Sequence, residues 1–296
     1  MAIPETQLDT WSKQGSVTQS QATYATIKNV LEDKAAPFAN RSYTSFLQGS
    51  YGNDTNIYAD SDVDVVMRLD STFYYDLTRL DDSGKANFEK AHGAAPYGLA
   101  DFKKEISAWL THKFGSAVKP GTKAIFVQGS GNRRDADVLP AAVFRRYYKF
   151  GNMSDQSSAE GICFFTSDGS RIENFPKQHS DNCTAKHKAT KQFFKPMVRI
   201  LKNMRNRMVQ DGMIEEGLAP SYYLEGLLYN VLNDKFGGNY ADTFTNSINW
   251  ILTADRTKFL CANEQFYLLR EDSPVTWRTA KCDKFLNAAV QLWNSW

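Results

Sequence analysis

The chain has 296 residues, enough for one large domain or two packed lobes and for a full buried core. Hydrophobic residues make up 42% and charged residues 23%, which excludes disordered, collagen-like and coiled-coil classes. Lys+Arg 35 against Asp+Glu 33 leaves a net charge of +2, too balanced for a protein that holds long nucleic acid by bulk electrostatics, so any anion site must be local. No apolar run approaches the roughly 20 residues of a membrane helix. The opening MAIPETQLDTWSKQG lacks a basic stretch followed by an apolar one, so a cytoplasmic protein with no membrane partner is expected. The four cysteines, Cys163, Cys183, Cys261 and Cys282, form no CxxC pair and read as buried or partly buried thiols.

In chain order, Tyr24, Ile27, Val30 and Leu31 fall at helical spacing, with Thr18 or Ser20 as a cap, and predict a helix over about 17–33. A second helical stretch is expected just after Pro37, running toward Phe46 and Gly52. SDVDVVMRL alternates β-branched residues with polar ones and reads as a strand. Leu99, Phe102, Ile106, Trp109 and Leu110 lie on one face of an amphipathic helix over 98–114. TKAIFVQ and DADVLPAAVF are strands separated by the turn-rich GSGNRR, and GICFFTSDGSRIENFP is a hairpin turning at Asp168-Gly169. From about 184 the pattern is mainly helical, with no repeat and no flexible linker. The order predicts an α/β (α+β) architecture: an N-terminal lobe with a mixed sheet over 1–180 and a C-terminal helical lobe over 181–296, sharing a cleft where a site is expected.

Gly49-Ser50 is followed, after eleven residues, by Asp62-Val63-Asp64. Residues two apart on a strand project to one side, so Asp62 and Asp64 aim together while Val63, Val65 and Met67 enter the core. Two carboxylates so held repel unless cations sit between them, and Mg²⁺ is the natural occupant of such an oxygen site, with Mn²⁺ as a substitute. Two ions roughly 3.5–4 Å apart activate an attacking oxygen and neutralise a leaving one in a phosphoryl displacement. The small residues of Gln48-Gly49-Ser50 let backbone N–H groups approach phosphate, and the Ser50 hydroxyl adds a hydrogen bond. Read alone, each piece is an ordinary turn or an ordinary strand edge.

Together, Gly-Ser, a gap of about a dozen residues and Asp-x-Asp flanked by apolar residues resemble the signature of polymerase-β-type nucleotidyltransferases. That resemblance implies a third carboxylate on a neighbouring strand. Asp137 in Asp137-Val138-Leu139-Pro140 fits, similar to the matching segment of 2′–5′ oligoadenylate synthetases, while Asp135 shares its face and remains the alternative. Gln128-Gly129-Ser130 repeats the letters of Gln48-Gly49-Ser50 with no paired Asp after it, and reads as a turn.

Between Thr184 and Gln210 there are eight Lys/Arg and no acid. Lys188, Lys191, Lys195, Arg199 and Lys202 at three- or four-residue steps predict a helix with a basic stripe that neutralises triphosphate. FFKPMVRILKNMRNRM resembles the first helix after the catalytic sheet in oligoadenylate synthetases and cyclic GMP-AMP synthase, which implies that Lys202 touches nucleotide phosphates. Ser221-Tyr222 resembles a Ser-Tyr pair of that synthase, implying a serine on the triphosphate and a tyrosine stacked on a base. As core aromatics of an amphipathic helix, Tyr222 and Tyr223 need no such role.

Phe175-Pro176-Lys177-Gln178-His179, Asn182 and the Lys186 to Lys202 stretch extend the resemblance over nearly the whole chain, to the bacterial cGAS/DncV-like nucleotidyltransferases (CD-NTases) of antiphage signalling. It implies a Mg²⁺-dependent enzyme with two ions that makes a cyclic oligonucleotide second messenger from NTPs, ATP and GTP, in a cGMP-AMP-type dinucleotide. It also implies separately encoded regulators and a downstream effector. Linear oligoadenylate synthesis, or transfer of one nucleotide to a small molecule or protein, is the alternative within the superfamily, and a silent nucleotide-binding module the alternative outside catalysis. The animal synthase's His-Cys-Cys-Cys zinc insertion, which grips DNA, has no counterpart here, so no nucleic-acid activator is expected. His179, Cys183 and His187 fall at four-residue steps, but with no fourth ligand in view and Pro176 suggesting a loop, a structural role is expected for them. No Ser/His/Asp or Cys/His arrangement points to acyl transfer.

Overall fold

A computed structural model describes residues 2–15, 17–59 and 62–296. The chain begins with α1 (Glu5–Ser12), α2 (Val17–Leu31), β1 (Tyr43–Gln48), α3 (Gly49–Gly52) and β2 (Val63–Asp76). Then come α4 (Asp82–Ala91), α5 (Leu99–Phe114), β3 (Val118–Pro120), β4 (Ile125–Val127), β5 (Ala136–Asn152), β6 (Asp155–Phe165) and β7 (Arg171–Asn174). The remainder is helical: α6 (Pro176–Ala189), α7 (Phe194–Gln210), α8 (Ser221–Asn230), α9 (Tyr240–Thr253) and α10 (Thr279–Ser295). These elements form two compact units, one of Thr18–Gln48 and Ser61–Pro176, the other of Met1–Val17, Gly49–Asp60 and Lys177–Trp296. No described helix is long and apolar enough to cross a membrane.

The first unit is built on a mixed sheet in the order β1-β2-β5-β4-β3, with β6 paired to the distal part of β5 and β7 to β6. β2 and β5 run parallel and the other pairs antiparallel. Val63, Val65, Met67 and Leu69 of β2 are fully buried, as period-two alternation requires, and Val66 is buried too because both faces of this central strand are covered. α5 packs against the sheet through Leu99, Phe102, Ile106 and Leu110, each removed from water at roughly 1.5–3 kcal/mol of stabilisation. Trp109 on its edge donates Nε1–H to Val30 O at 2.8 Å, tying α5 to α2. Buried Arg146 bridges Asp76 (3.1 Å) and Glu173 (3.0 Å), joining β2, β5 and β7.

The helical stretch expected after Pro37 is absent. Residues 34–40 form turns and Tyr43–Gln48 is β1, paired antiparallel with β2 from Tyr43↔Leu69 to Gln48↔Asp64. Phe38 is fully buried against Tyr43 and Phe102, so the apolar residues that suggested a helix are core anchors of a turn and a strand. The hairpin at Asp168-Gly169 forms as expected, with Gly169 at φ +84°.

In the second unit α7 is the central element. Its Phe194, Met197, Val198, Ile200, Leu201 and Met204 are fully buried, in one core with Leu224 and Leu227 of α8, Ile251 of α9 and Phe285 of α10. Trp277 closes this core and donates Nε1–H to Leu218 O at 2.9 Å. The single basic helix read from the sequence is two. α6 ends at Ala189, Lys191 (φ 49°) and Gln192 (φ 70°) turn the chain, and the Thr190 hydroxyl accepts from Phe194 N as α7 begins. Lys188 and Lys191 therefore belong to a different stretch from Lys195, Arg199 and Lys202.

Candidate active site

Neighbouring strands project register partners to the same face. Gln48, Asp64 and Asp137 are partners across β1, β2 and β5, so they stand in one row on one side of the sheet. Asp62, exposed and two residues before Asp64, acts electrostatically on Asp137. Burial, followed by the charges of Asp62 and Asp135, pushes the Asp137 carboxyl above its usual range. Asp135 is engaged elsewhere, its Oδ1 accepting the Gly129 N–H at 2.5 Å in the turn that Ser130 and Arg133 bridge. Asp62, Asp64 and Asp137 are hard oxygen donors, the ligand type that suits divalent cations such as Mg²⁺.

At Gln48 the chain leaves β1 and enters a turn. Gly49 adopts φ +69°, which glycine alone takes without strain, and Gly49–Gly52 form the short α3. Ser50 is half-buried. The carbonyls of Gly49 and Ser50 accept from the N–H groups of Asn53 (3.1 Å) and Thr55 (2.9 Å), so the shape of this turn is set by the segment that follows it.

That segment is irregular yet buried: Thr55 and Asn56 are 0% exposed. Buried backbone without a ladder must find other partners, and here helices supply them. Lys202 Nζ on α7 donates to Thr55 O at 3.0 Å, and Arg199 Nη1 to Asp54 O at 2.7 Å. Lys195 Nζ pairs with Asp54 Oδ2 at 2.9 Å. Gly15 N and Gln14 Nε2 hold the Asn56 carbonyl and side chain at 3.1 and 2.7 Å. Lys202, which the resemblance assigned to nucleotide phosphates, is 0% exposed with its ammonium on a backbone carbonyl, because it projects from the core side of α7.

Ser221 is the first residue of α8, and its Oγ accepts from Arg205 Nη1 at 3.1 Å. Tyr222 is half-buried, its ring stacked on His179 (centroids 4.8 Å, planes 21° apart) and its hydroxyl accepting from Asn263 Nδ2 at 2.9 Å. His92 and His112 stack on Phe88 and Trp109.

Pro176 does not mark a loop. It opens α6, where proline at the first helical position costs nothing because its missing N–H has no intrahelical partner. His179 and Cys183 thus share a helix face, but the third member of their cluster is Glu225 on α8 rather than His187. His187 Nδ1 instead accepts from Lys195 N at 3.3 Å, and burial, followed by the charges of Lys195 and Arg199, pushes its pKa down to about 4. Glu225 accepts from His179 Nε2 (2.5 Å), Thr55 Oγ1 (2.5 Å) and Asn53 Nδ2 (3.2 Å). Burial opposes its ionisation, yet the His179 hydrogen bond and charge, the Thr55 hydroxyl and the Lys202 charge outweigh that and hold its carboxyl below its usual range. With both carboxylate oxygens occupied by donors and Lys202 supplying a cation, the cluster reads as a hydrogen-bonded charge network. Sequence reasoning missed Glu225; its one signal was an acid inside the apolar run of APSYYLEGLL.

The cGAS/DncV-like nucleotidyltransferase C-terminal helical domain model matches residues 181–294. A cyclic UMP-AMP synthase of Rhodothermus marinus is 38% identical over 100% of this chain and 99% of its own. A cyclic dipurine nucleotide synthase of Elizabethkingia meningoseptica is 38% identical over 97% of this chain and 99% of its own. The solved structure of a Rhodothermus marinus c-UMP-AMP synthase with Apcpp and Upnpp superposes with a TM-score of 0.88 at 36% identity, covering 99% of this chain and 97% of that one.

Proposed function

The chain belongs to the cGAS/DncV-like nucleotidyltransferases, and on that premise we propose that it joins two nucleoside triphosphates and closes them into a cyclic dinucleotide, releasing two pyrophosphates. In each step an acceptor hydroxyl oxygen bonds to the donor α-phosphorus as the bond to the β-phosphate oxygen breaks, and pyrophosphate leaves. Asp62, Asp64 and Asp137 would hold Mg²⁺, which when bound neutralises the triphosphate and the attacking and leaving oxygens. Asp137 would help the bound ion activate the acceptor hydroxyl. The N–H groups of the Gly49-Ser50 turn and the Ser50 hydroxyl take the donor triphosphate, supported by Lys202 through Thr55 and joined by Ser221. Tyr222 would stack on a base.

The row of Asp64 and Asp137, with Asp62 in electrostatic contact, is the observation that carries this reading. The two relatives named above differ, by their names, in the bases they join, so membership of the family does not by itself fix base choice. NTP substrates also support a cytoplasmic setting, and the family resemblance supports a second-messenger role in antiphage signalling. The test is pyrophosphate release from Mg²⁺ and mixed NTPs, with and without added DNA. Release that is independent of DNA and lost in an Asp62→Asn/Asp64→Asn double variant is expected; full activity in that variant overturns the assignment.

A further inference from the structure

The Gly49–Gly52 turn has no partner strand to define it, and its backbone carbonyls are addressed by Asn53 and Thr55. Those two residues are also the ones whose side chains end on Glu225, from Asn53 Nδ2 to Oε2 and from Thr55 Oγ1 to Oε1. Glu225 is 3% exposed, His179 3% and Lys202 0%. The bonds to Glu225 and the one from Lys202 are charge-assisted and buried, which makes their geometry strongly specified.

Each of Asn53 and Thr55 therefore makes two connections, through backbone N–H to the turn and through side chain to the carboxylate. Lys202 adds a third by fixing Thr55 O. A hydrogen-bonded path of one residue separates Glu225 from the Ser50 carbonyl.

We propose that Glu225, oriented by His179 and balanced by Lys202, is a positioning residue that presets the Gly49-Ser50 turn in the shape that receives a donor triphosphate. It touches no substrate. The network holds the N–H groups in place before the nucleotide arrives, so binding carries no cost of ordering the turn. This inference rests on the assignment of that turn to the triphosphate.

The experiment measures the Kd of a non-hydrolysable NTP analogue, the KM and kcat for NTPs, and the rise in melting temperature given by Mg²⁺ alone. Glu225→Gln keeps the shape and removes the charge; Thr55→Val keeps the volume and removes one donor. Expected are a rise of about tenfold or more in Kd and KM for Glu225→Gln and about threefold to tenfold for Thr55→Val, with kcat less affected and the Mg²⁺ response unchanged. His179→Gln, which keeps an N–H donor, should retain more affinity than His179→Ala. A purely structural role lowers the melting temperature and leaves the affinity of the folded protein within about twofold, and that result overturns the proposal. Should Glu225→Gln fail to fold, Thr55→Val decides by the same criterion. If the wild-type protein neither binds the analogue nor releases pyrophosphate, the functional reading itself fails; if it does both and the variants bind like wild type, only this inference fails.

Discussion

Asp64 on β2 and Asp137 on β5 are register partners in a parallel strand pair, so one backbone ladder fixes the separation of the two carboxylates. Adjacent strands lie about 4.8 Å apart, the spacing on which the proposed Mg²⁺ site relies. Rigid strands give that spacing a precision that loop residues lack.

Asp137→Asn should stabilise the cation-free protein near neutral pH while lowering activity by about a hundredfold or more. The Asp137 carboxyl is raised above its ordinary 3.8, so the folded chain binds this proton more tightly than the unfolded chain. Its contribution to stability is fully present below about 3.8 and is lost as pH rises through the folded value. Thermal melts at low and neutral pH check this: the advantage of the variant should appear at neutral pH and vanish in acid.

Mg²⁺ should raise the melting temperature of the wild-type protein in the absence of nucleotide. Binding at about a hundred times Kd contributes about 2.7 kcal/mol. Asp64→Asn should abolish most of the shift, and an equal shift in that variant would place the ion elsewhere.

Gly15→Ala tests how closely the segment after the turn is packed. A Cβ at Gly15 would lie 2.4 Å from Ile57 O and 2.8 Å from Tyr58 N, both backbone atoms with little room to yield. A loss of about 1–3 kcal/mol is expected in denaturant titrations, with a raised KM for NTP.

His187 supplies an acid-sensitive element. Its pKa falls from 6.5 to about 4, so below 6.5 the unfolded chain takes up a proton that the folded chain refuses. Stability should therefore decline as pH drops from 6.5 to 4, and His187→Gln should flatten that decline in pH-dependent melts.

Elements with strong local periodicity were legible in the sequence: β2 through alternating valines, α5 through Leu99, Phe102, Ile106 and Leu110, and the β6–β7 hairpin through Asp168-Gly169. β1 was not, because Tyr43–Gln48 is strand only by virtue of its pairing with β2, a contact its own letters do not encode. α6 hid behind a proline that favours a first helical turn as much as a loop. The Asp62/Asp64 pair stands out because its spacing is a local fact, whereas Asp137 comes beside Asp64 only through the β2–β5 pairing. The Glu225 network was not, because Thr55 and Glu225 are 170 positions apart and the need that joins them, satisfying a buried charge, arises only after folding.

Mass spectrometry of the product made by purified protein from Mg²⁺ and all four NTPs, before and after phosphatase treatment, tests the central claim most directly. The account expects a phosphatase-resistant species with the mass of a cyclic dinucleotide. Unchanged NTPs, or a product that phosphatase shortens, would contradict it.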